Sequence, residues 1–421
     1  MAPRVPQSEH RHDHGMSAPS QTQDPRQRCR ESTHRHGARR SVGDSVIEVR
    51  RATLDDKQAI FRFLSKAYAD RARYKFPERW EWQFEKNPFR NQDELPVWIA
   101  VDDEGTVVGQ TCAMIEPLKI GSDTYRLGWG ADMFVLPAYR GQKLGHELQN
   151  ANYEGNEIFM TLVMSEASRH LEMKLGGFAV DSVTVFRRPA RFDAASAFAA
   201  FRKRLDSRWP GKVQGAASGA LLRLLCLLRM DQPVGALINV GRAMRGQRLL
   251  RCLDSGVDVR QVREFDQAAD RLWDAVSPQF HAIVQRSSAY LNWKYVRQPH
   301  MNYELFSASR SGRMCGYVIL RKTRSPESNT GIIADLFAPP GDRAVIHTLL
   351  AFAVRHLKNQ QVERIVAASS VDAYKSALLA LGFKKTAEVT PVYKSRVVPV
   401  PAPGSWFLSR GDHDWDQYPY G

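Results

Sequence analysis

The chain has 421 residues, of which 60 are Lys or Arg and 45 are Asp or Glu, so its formal net charge is +15. With 43% hydrophobic residues it can bury packed cores, and its length predicts two to three domains. The five cysteines lie far apart, without a Cys-x-x-Cys pair or a histidine at zinc spacing, which excludes a disulfide scaffold and favours a cytoplasmic setting. No apolar run is long enough to cross a bilayer and no signal-peptide pattern occurs, so we expect a soluble or peripheral protein.

Residues 1–45 are predicted to be a disordered tail. They hold eight Arg, five of the 12 His and many Ser, Gln and Pro residues, a composition that cannot build a core. The pieces HRHDHG and HRHG are rich enough in His to bind metal adventitiously, but a solvated tail is the simpler interpretation. We therefore predict no metal site.

Residues 46–190 have the pattern of a mixed α/β domain. A helix is predicted from Leu54, and the aromatic segment around Trp82 is expected to pack in the core rather than to line a pocket. The later predicted elements are a glycine turn between two strands in DDEGTVVGQ, a strand at 132–136, a helix in GHELQNANYEGNEIF, a strand in TLVMSEA from Thr161, a helix at 168–175 and closing strands from Val180.

The segment DMFVLPAYRGQKLG, residues 132–145, is the most informative part of the chain. Its strand breaks at a proline into a basic turn that contains Gly141, and a helix follows. The unpaired N–H groups of that helix's first turn, from Gln142 to Gly145, are expected to face an anion, with the positive end of the helix dipole behind them. Arg140 adds donors that suit phosphate. The segment therefore predicts a phosphate-binding turn.

This segment resembles the pyrophosphate-binding motif of the GCN5-related N-acetyltransferase (GNAT) family, in which Arg or Gln is followed by two residues, Gly, one residue, and Gly or Ala. The motif residues here are Arg140, Gly141, Gln142, Lys143, Leu144 and Gly145. The chain departs from the family at Lys143, where the family usually has its middle glycine. The flanking residues Val135, Pro137 and Tyr139 fit the family's strand-to-turn signature.

The resemblance implies a mixed α/β fold and direct transfer of an acyl group from acetyl-CoA, or another acyl-CoA, to an amine. It also implies that the fourth and fifth strands splay apart and that the main chain of the fourth, here 133–135, holds the pantetheine and the thioester carbonyl. Phe134 and Val135 on that strand and residues 140–145 in the turn are thus the predicted acyl-CoA-binding residues.

An amine arrives as ammonium near neutral pH, so the reaction needs a proton acceptor. Asp132 and Glu166 are the best-placed carboxylates, although a strand-end hydrogen bond for Asp132 and a favourable helix-dipole position for Glu166 also explain them. Many GNAT proteins place a proton-donating tyrosine five residues before the phenylalanine of a closing Gly-Phe. That count reaches Met173 here and Leu378 in a second copy described below, so no such phenol is assigned.

Residues 191–257 are predicted to be a basic helical connector. Between Arg187 and Cys252 there are 14 Arg and Lys against three Asp and no Glu. The last predicted helix has the basic and apolar faces of a helix that contacts an anionic membrane, so peripheral contact through 194–251 and packing between two domains both stay open. The charge lacks the aromatic interleaving of a nucleic-acid site, and no nucleic acid is expected.

Residues 258–398 repeat the order of elements seen in 46–190. The matched segments are the helices at Leu54 and Phe265, the motifs at Trp82 and Trp293, the glycine turns at Gly109 and Gly316, DMFVLP and DLFAP, and KLGGF and ALGFK. The sequence therefore predicts an α/β chain of two GNAT-like mixed-sheet domains in tandem, joined by the basic connector.

The second copy lacks the phosphate-binding turn. It reads APPGDRAV, with a single glycine and with Asp342, whose charge repels a pyrophosphate. We predict that this copy is degenerate for cofactor binding. In the tail, 399–421, three aspartates alternate from Asp412, but a packed or solvated end is expected rather than a cation site.

These patterns predict a cytoplasmic N-acyltransferase that uses acyl-CoA and a small-molecule or envelope-precursor amine, with peripheral membrane contact left open. Two other interpretations remain. One is a non-catalytic acyl-CoA sensor or membrane-surface adaptor, and the other is transfer of a longer acyl or aminoacyl group at the membrane. The acceptor, the acyl length and the oligomeric state are left open by the sequence.

Overall fold

The computed structural model describes residues 38–42, 45–190, 256–323 and 329–417. Most of the predicted tail and the predicted helices at 194–251 lie outside the described residues, so the membrane contact stays a prediction. Among the residues that the structure describes, no helix combines the length and the apolar character needed to cross a membrane.

Strands and helices alternate along the chain. The strands are β1 Ala38–Val42, β2 Ser45–Arg51, β3 Val97–Val101, β4 Val107–Ile120, β5 Asp123–Val135, β6 Ile158–Thr161, β7 Phe178–Ala179, β8 Val183–Pro189, β9 Val257–Val262, β10 Ala282–Val284, β11 Tyr303–Arg310, β12 Arg313–Lys322, β13 Thr330–Phe337, β14 Arg364–Ser369, β15 Lys384–Val389, β16 Val392–Ser395 and β17 Trp406–Phe407. The helices are α1 Lys57–Tyr68, α2 Glu78–Trp80, α3 Leu144–Glu154, α4 Glu166–Lys174, α5 Gln267–Val276, α6 Ser288–Leu291, α7 Arg343–Asn359 and α8 Asp372–Ala380.

Local sequence explains where several helices begin. Before α1, the Thr53 N–H donates to the Asp56 carboxylate at 2.8 Å, and α1 then buries Ile60, Phe63 and Leu64 at helical spacing. Ser165 caps α4 by accepting from the Ser168 N–H at 3.1 Å. The elements predicted in these two regions therefore follow ordinary capping rules.

The strands form two mixed sheets. The first has the order β1-β2-β3-β4-β5-β6-β16-β7, and the second has the order β15-β8-β14-β13-β12-β11-β9. In the first sheet β10 also pairs with β4, and β17 pairs with β10. In each sheet one central pair is parallel, β5 with β6 and β13 with β14. Helix α3 packs against the first sheet and α7 against the second.

The two sheets exchange a strand. β8 lies between β14 and β15 in the second sheet, and β16 lies between β6 and β7 in the first. The prediction that the strands from Val180 close the first half's own sheet is therefore wrong for β8. Apolar alternation selects a buried strand but not the sheet that it joins, so the sequence pattern fits both arrangements. The described part of Ala38–Gly421 forms one compact unit.

Two further boundaries differ from the prediction. Helix α3 ends at Glu154, because Gly155 and Asn156 follow, and β6 occupies Ile158–Thr161, of which the first two residues were assigned to the end of that helix. The strand predicted from Thr161 therefore begins three residues later than β6 does.

The two tryptophan motifs meet in the core. Trp82 and Trp293 stack with ring centroids 4.9 Å apart, and the Trp82 indole N–H donates to the Trp293 carbonyl at 3.0 Å. Each lies in a five-residue π-helical turn, Glu81–Glu85 or Asn292–Val296. The prediction that the motif around Trp82 packs in the core is confirmed.

The C-terminal segment, which we define as residues 404–417, is packed rather than solvated. β17 pairs with β10, and Ser409 bridges to Ser369 of β14. Its aspartates are buried in contacts with other parts of the chain: Asp412 with Arg286, Asp414 with Arg79, and Asp416 with Tyr303. The described residues contain no cluster of side chains that suits a metal ion.

Candidate functional site

The predicted phosphate-binding turn joins β5 to α3. A short 3-10 turn at Pro137–Tyr139 ends the strand, Gly141 adopts φ +83°, and α3 begins at Leu144. Lys143, the residue before α3, makes no side-chain hydrogen bond to the helix, so within the part of the chain that the structure describes the helix has no side-chain N-cap. A Cβ on Gly141 would have no heavy atom within 4 Å, which leaves that side of the turn open.

Lys143 occupies the position of the family's middle glycine and adopts a left-handed conformation, with φ +63° and ψ 5°. An L-residue in this region costs about 1 kcal/mol relative to glycine. The turn therefore keeps the shape that a glycine would give, at some cost in stability, and its exposed side chain places a cation beside the first turn of α3.

Arg140 is exposed but oriented by the end of β5. Its Nε donates to the Val135 carbonyl at 3.0 Å, and its guanidinium lies 5.2 Å from the centre of the Phe134 ring. Gln142 is half-buried, and its Oε1 has no hydrogen-bond partner among the described residues. The predicted binding residues of the strand and the turn are thus brought together at the C-terminal end of β5.

The two parallel strands next to this turn separate. β5 and β6 pair only from Leu127 to Trp129, and a β-bulge interrupts the β4–β5 ladder at Asp132 and Met133. Gly130 lies where the strands part: a Cβ there would approach the Phe159 ring to 2.4 Å, so only glycine fits. The opening that the resemblance implied between the fourth and fifth strands is therefore present.

Asp132 lies at this bulge with φ +50°. Its carboxylate forms an ion pair with Lys75 and accepts from the Tyr68 hydroxyl at 3.3 Å, and both members of the ion pair are buried. The second half repeats this pair, since Arg286 stands 211 residues after Lys75 and contacts Asp335 at 3.3 Å. A structural role explains the repeated pair, and the catalytic role of Asp132 stays a prediction.

Glu166 is the first residue of α4 and is exposed. A carboxylate there interacts favourably with the positive end of the helix dipole. Its predicted catalytic role likewise stays a prediction.

A carboxylate that the sequence analysis missed, Glu172, faces the opening from α4. It accepts from the Thr161 hydroxyl at 2.8 Å, its second oxygen has no partner among the described residues, and burial raises its pKa to about 7. Thr161 ends β6 and lies beside Gly130 of β5. The Tyr153 hydroxyl of α3 also lacks a partner there, and burial together with the charge of Glu172 raises its pKa.

The count that led to Met173 was one residue off. Gly176, with φ +84°, ends α4 as Gly382, with φ +81°, ends α8. The Gly177 N–H donates to the main-chain carbonyl of Glu172, as the Phe383 N–H donates to the main-chain carbonyl of Leu378. Glu172 thus occupies the position of Leu378, and Met173 is exposed. The count was one residue off because the motif here has two glycines. A Cβ at Gly177 would approach Val392 of β16 to 2.5 Å, so glycine occupies this position and the phenylalanine of the motif follows at Phe178.

Comparisons with known proteins agree with this geometry. The sequence profile of the Acetyltransferase (GNAT) family matches residues 58–151, which include the turn and β5. A GCN5-related N-acetyltransferase from Anabaena variabilis ATCC 29413 is similar in structure, with a TM-score of 0.51 and 12% identity over 83% of this chain and 72% of that chain. Another, from Kribbella flavida, has a TM-score of 0.50 and 13% identity over 82% of this chain and 70% of that one. No curated protein sequence matches the chain.

The chain has a GNAT-like fold. At these identities the structural likeness concerns the fold alone, and the family profile covers only part of the chain.

The second half of this GNAT-like chain contains a similar opening that is blocked. β13 and β14 also pair at only three positions, but α7 is capped by Asp342, whose carboxylate accepts from the Val345 N–H at 3.1 Å and pairs with Arg310 at 2.8 Å. Ser409 of the C-terminal segment lies in the opening and donates to Asp335 at 2.9 Å. The space left between these strands is a cavity of about 20 Å³.

Proposed function

We propose that this chain transfers an acyl group from an acyl-CoA to a primary amine. The observation that carries the proposal is that α3 begins at Leu144 without a side-chain cap and follows the same end of β5 at which β5 and β6 separate. A ligand whose phosphates lie at this turn has a direct path for its thioester arm into the opening. The GNAT family profile spans the turn and β5, which supports the same assignment.

The residues of the turn fit a pyrophosphate. Gly141 leaves the main chain accessible, and the exposed Arg140 is held by Val135 and Phe134. Lys143 adds a second cation. A diphosphate is therefore met by main-chain donors, the helix dipole and two positive side chains.

The chemistry is direct attack of the amine nitrogen on the thioester carbon. The C–N bond forms, the C–S bond breaks, and the thiolate leaves and takes a proton. The main chain at Met133 faces an interrupted ladder, so an N–H near the bulge is our proposed donor to the carbonyl oxygen. Glu172 is our proposed proton source for the thiolate, because burial holds part of its population protonated near pH 7.

Asp132 lies at the opening and remains a candidate acceptor of the amine proton, directly or through water, whereas Glu166 lies at the start of α4.

We further propose that the two halves arose by duplication and that the second half is degenerate for acyl-CoA, since Asp342 occupies its helix N-terminus and Ser409 its opening.

Titration calorimetry with acetyl-CoA tests the proposal. Wild type should bind, and Arg140→Ala should bind roughly tenfold more weakly because a charge-assisted contact to phosphate is lost. Arg260→Ala, which removes an exposed arginine of β9, is the matched control and should bind like wild type.

Release of CoA in the presence of a primary amine then separates the enzyme from the sensor. Binding of acetyl-CoA without release of CoA favours the acyl-CoA sensor. Folded wild type that binds no acyl-CoA contradicts both.

A further inference from the structure

One residue of the C-terminal segment carries two separate energetic costs. His413 is 4% exposed and adopts φ +60°, in the left-handed region. A non-glycine residue is disfavoured there because its Cβ crowds the following carbonyl oxygen. The segment is held in this shape from outside, since the His413 carbonyl accepts from the Lys294 ammonium at 2.6 Å.

The second cost is in the imidazole ring. Neither ring nitrogen of His413 makes a hydrogen bond within the part of the chain that the structure describes. Nδ1 lies 3.0 Å from the Asp414 carboxylate, but the two groups are not aligned for a hydrogen bond. Leaving a buried polar group without a partner destabilises the folded chain. Backbone strain and unpaired buried polar atoms together are typical of residues whose partner is a ligand.

The ring lies beside a side chain of β5, close to where the strands begin to part. Its centroid is 5.8 Å from that of Trp129, which pairs with Met160 at the last rung between β5 and β6. The carboxylate of Asp132, at the bulge of the same strand, is among the charges that raise the pKa of His413, against a larger lowering by burial. The C-terminal segment therefore brings an imidazole to the opening of the first half.

We propose that His413 accepts the proton of the incoming ammonium group, directly or through one water molecule. The proposal rests on the proposed acyl transfer. The imidazole takes a proton from R–NH₃⁺, the free amine attacks the thioester carbon, and the C–S bond breaks. The leaving thiolate takes a proton from Glu172, which regains one as the new amide nitrogen loses its second proton, directly or through water. The proton on His413 then passes to solvent, and the net products are the amide, CoA thiol and one proton. Asp132 serves in this scheme as a nearby negative charge that stabilises the imidazolium.

The groups around His413 set its protonation state. Burial lowers its pKa, and Lys294 of the π-helical turn and Arg79 of α2 lower it further, while Asp414 on its own segment and Asp132 on β5 act in the opposite direction. The net direction is downward from 6.5, so the ring is neutral near pH 7 and can accept a proton.

The variant His413→Asn tests the proposal kinetically. Asn tolerates the left-handed conformation, so the fold should persist, and acetyl-CoA should bind within about twofold of wild type. The rate of CoA release with tryptamine as the probe amine should fall by about 10²–10⁴-fold. The decrease of kcat at acidic pH that results from protonation of His413 should also disappear from the pH profile. His281→Asn, at an exposed histidine, is the matched control. Wild-type rate and pH profile in His413→Asn would overturn the inference.

A second measurement needs no turnover. Imidazole ¹⁵N signals, assigned by comparing wild type with His413→Asn, should report a neutral His413 at pH 7 that shifts when acetyl-CoA alone saturates the protein. Binding of acetyl-CoA with no change at His413 overturns this inference and leaves the proposed function standing. Absence of acetyl-CoA binding to folded wild type overturns the proposed function itself.

Discussion

Two parallel strand pairs of this chain, β5–β6 and β13–β14, open in the same way but differ in what lies at the opening. Each pair is hydrogen-bonded at three positions and then opens. The first strand of each pair, β5 or β13, also has a bulge in its antiparallel ladder with the strand before it. Each opening carries a buried basic–acidic pair, Lys75–Asp132 or Arg286–Asp335. In the first pair the following helix is uncapped. In the second, Asp342 caps the helix and Ser409 fills the opening.

This difference shows that the backbone opening alone does not define a site. A few side chains at the helix start, together with the course of the C-terminal segment, decide whether the opening is available to a ligand. The same segment that fills the second opening at Ser409 reaches the first at His413.

The largest effect on stability is expected from removing the buried cation beside the opening between β13 and β14. Arg286 is buried and contacts Asp335 at 3.3 Å and Asp412 at 3.0 Å, so Arg286→Met leaves two carboxylates buried without their cation. The free energy of unfolding, measured by denaturant titration, should fall by about 3–5 kcal/mol. Arg260→Met removes an exposed pair and should leave it unchanged within about 0.5 kcal/mol. A loss below about 1 kcal/mol for Arg286→Met would contradict the assigned role of the pair.

A negative charge at the start of α3 should weaken acetyl-CoA binding, whereas a negative charge at the start of α7 should not. Gly145→Glu introduces a carboxylate at the phosphate-binding turn, and its Cβ would lie 3.3 Å from the Met133 methyl group, so acetyl-CoA affinity should fall by roughly 100-fold or more. Gly341→Glu, at the position that aligns with Gly141, introduces a carboxylate at the turn of the second half, where a Cβ meets no atom within 4 Å, and calorimetry should find wild-type affinity. Equal losses in the two variants would remove the distinction between the halves.

Glu172 should make stability depend on pH in a way that its counterpart Leu378 cannot. Its folded-state pKa is raised from 4.5 to about 7, so its favourable contribution is complete below about pH 4.5 and is lost as the pH rises through about 7. Glu172→Gln should therefore match wild type near pH 4.5 and be more stable at pH 8, by up to about 3 kcal/mol. Glu166→Gln, at an exposed position, serves as the control. A pH-independent difference would show that Glu172 ionises normally.

The smallest expected effect concerns the turn itself. Lys143→Gly removes the strain of φ +63° and should raise the free energy of unfolding by about 1 kcal/mol, whereas Lys143→Ala keeps the strain and should not. Thermal or denaturant unfolding of both variants checks this. Equal stabilities would mean that the left-handed conformation costs nothing here.

The sequence predicted the turn at 140–145 and the core tryptophans because both depend on local chemistry and on residue spacing. It did not predict the exchange of β8 and β16, since an alternating strand fits either sheet edge equally well. Glu172 was missed because two adjacent glycines shifted the count at the end of α4. His413 was missed because its contact with Trp129 joins distant parts of the chain, and no local pattern indicates such a contact.

The most direct test of the account is hydrogen exchange of the main-chain amides with and without saturating acetyl-CoA. The account predicts slower exchange at 141–147, at the start of α3, and unchanged exchange at 341–347, at the start of α7. Protection at 341–347 alone, or no protection at 141–147 in a protein that binds acetyl-CoA, would contradict the claim that the first opening is the acyl-CoA site.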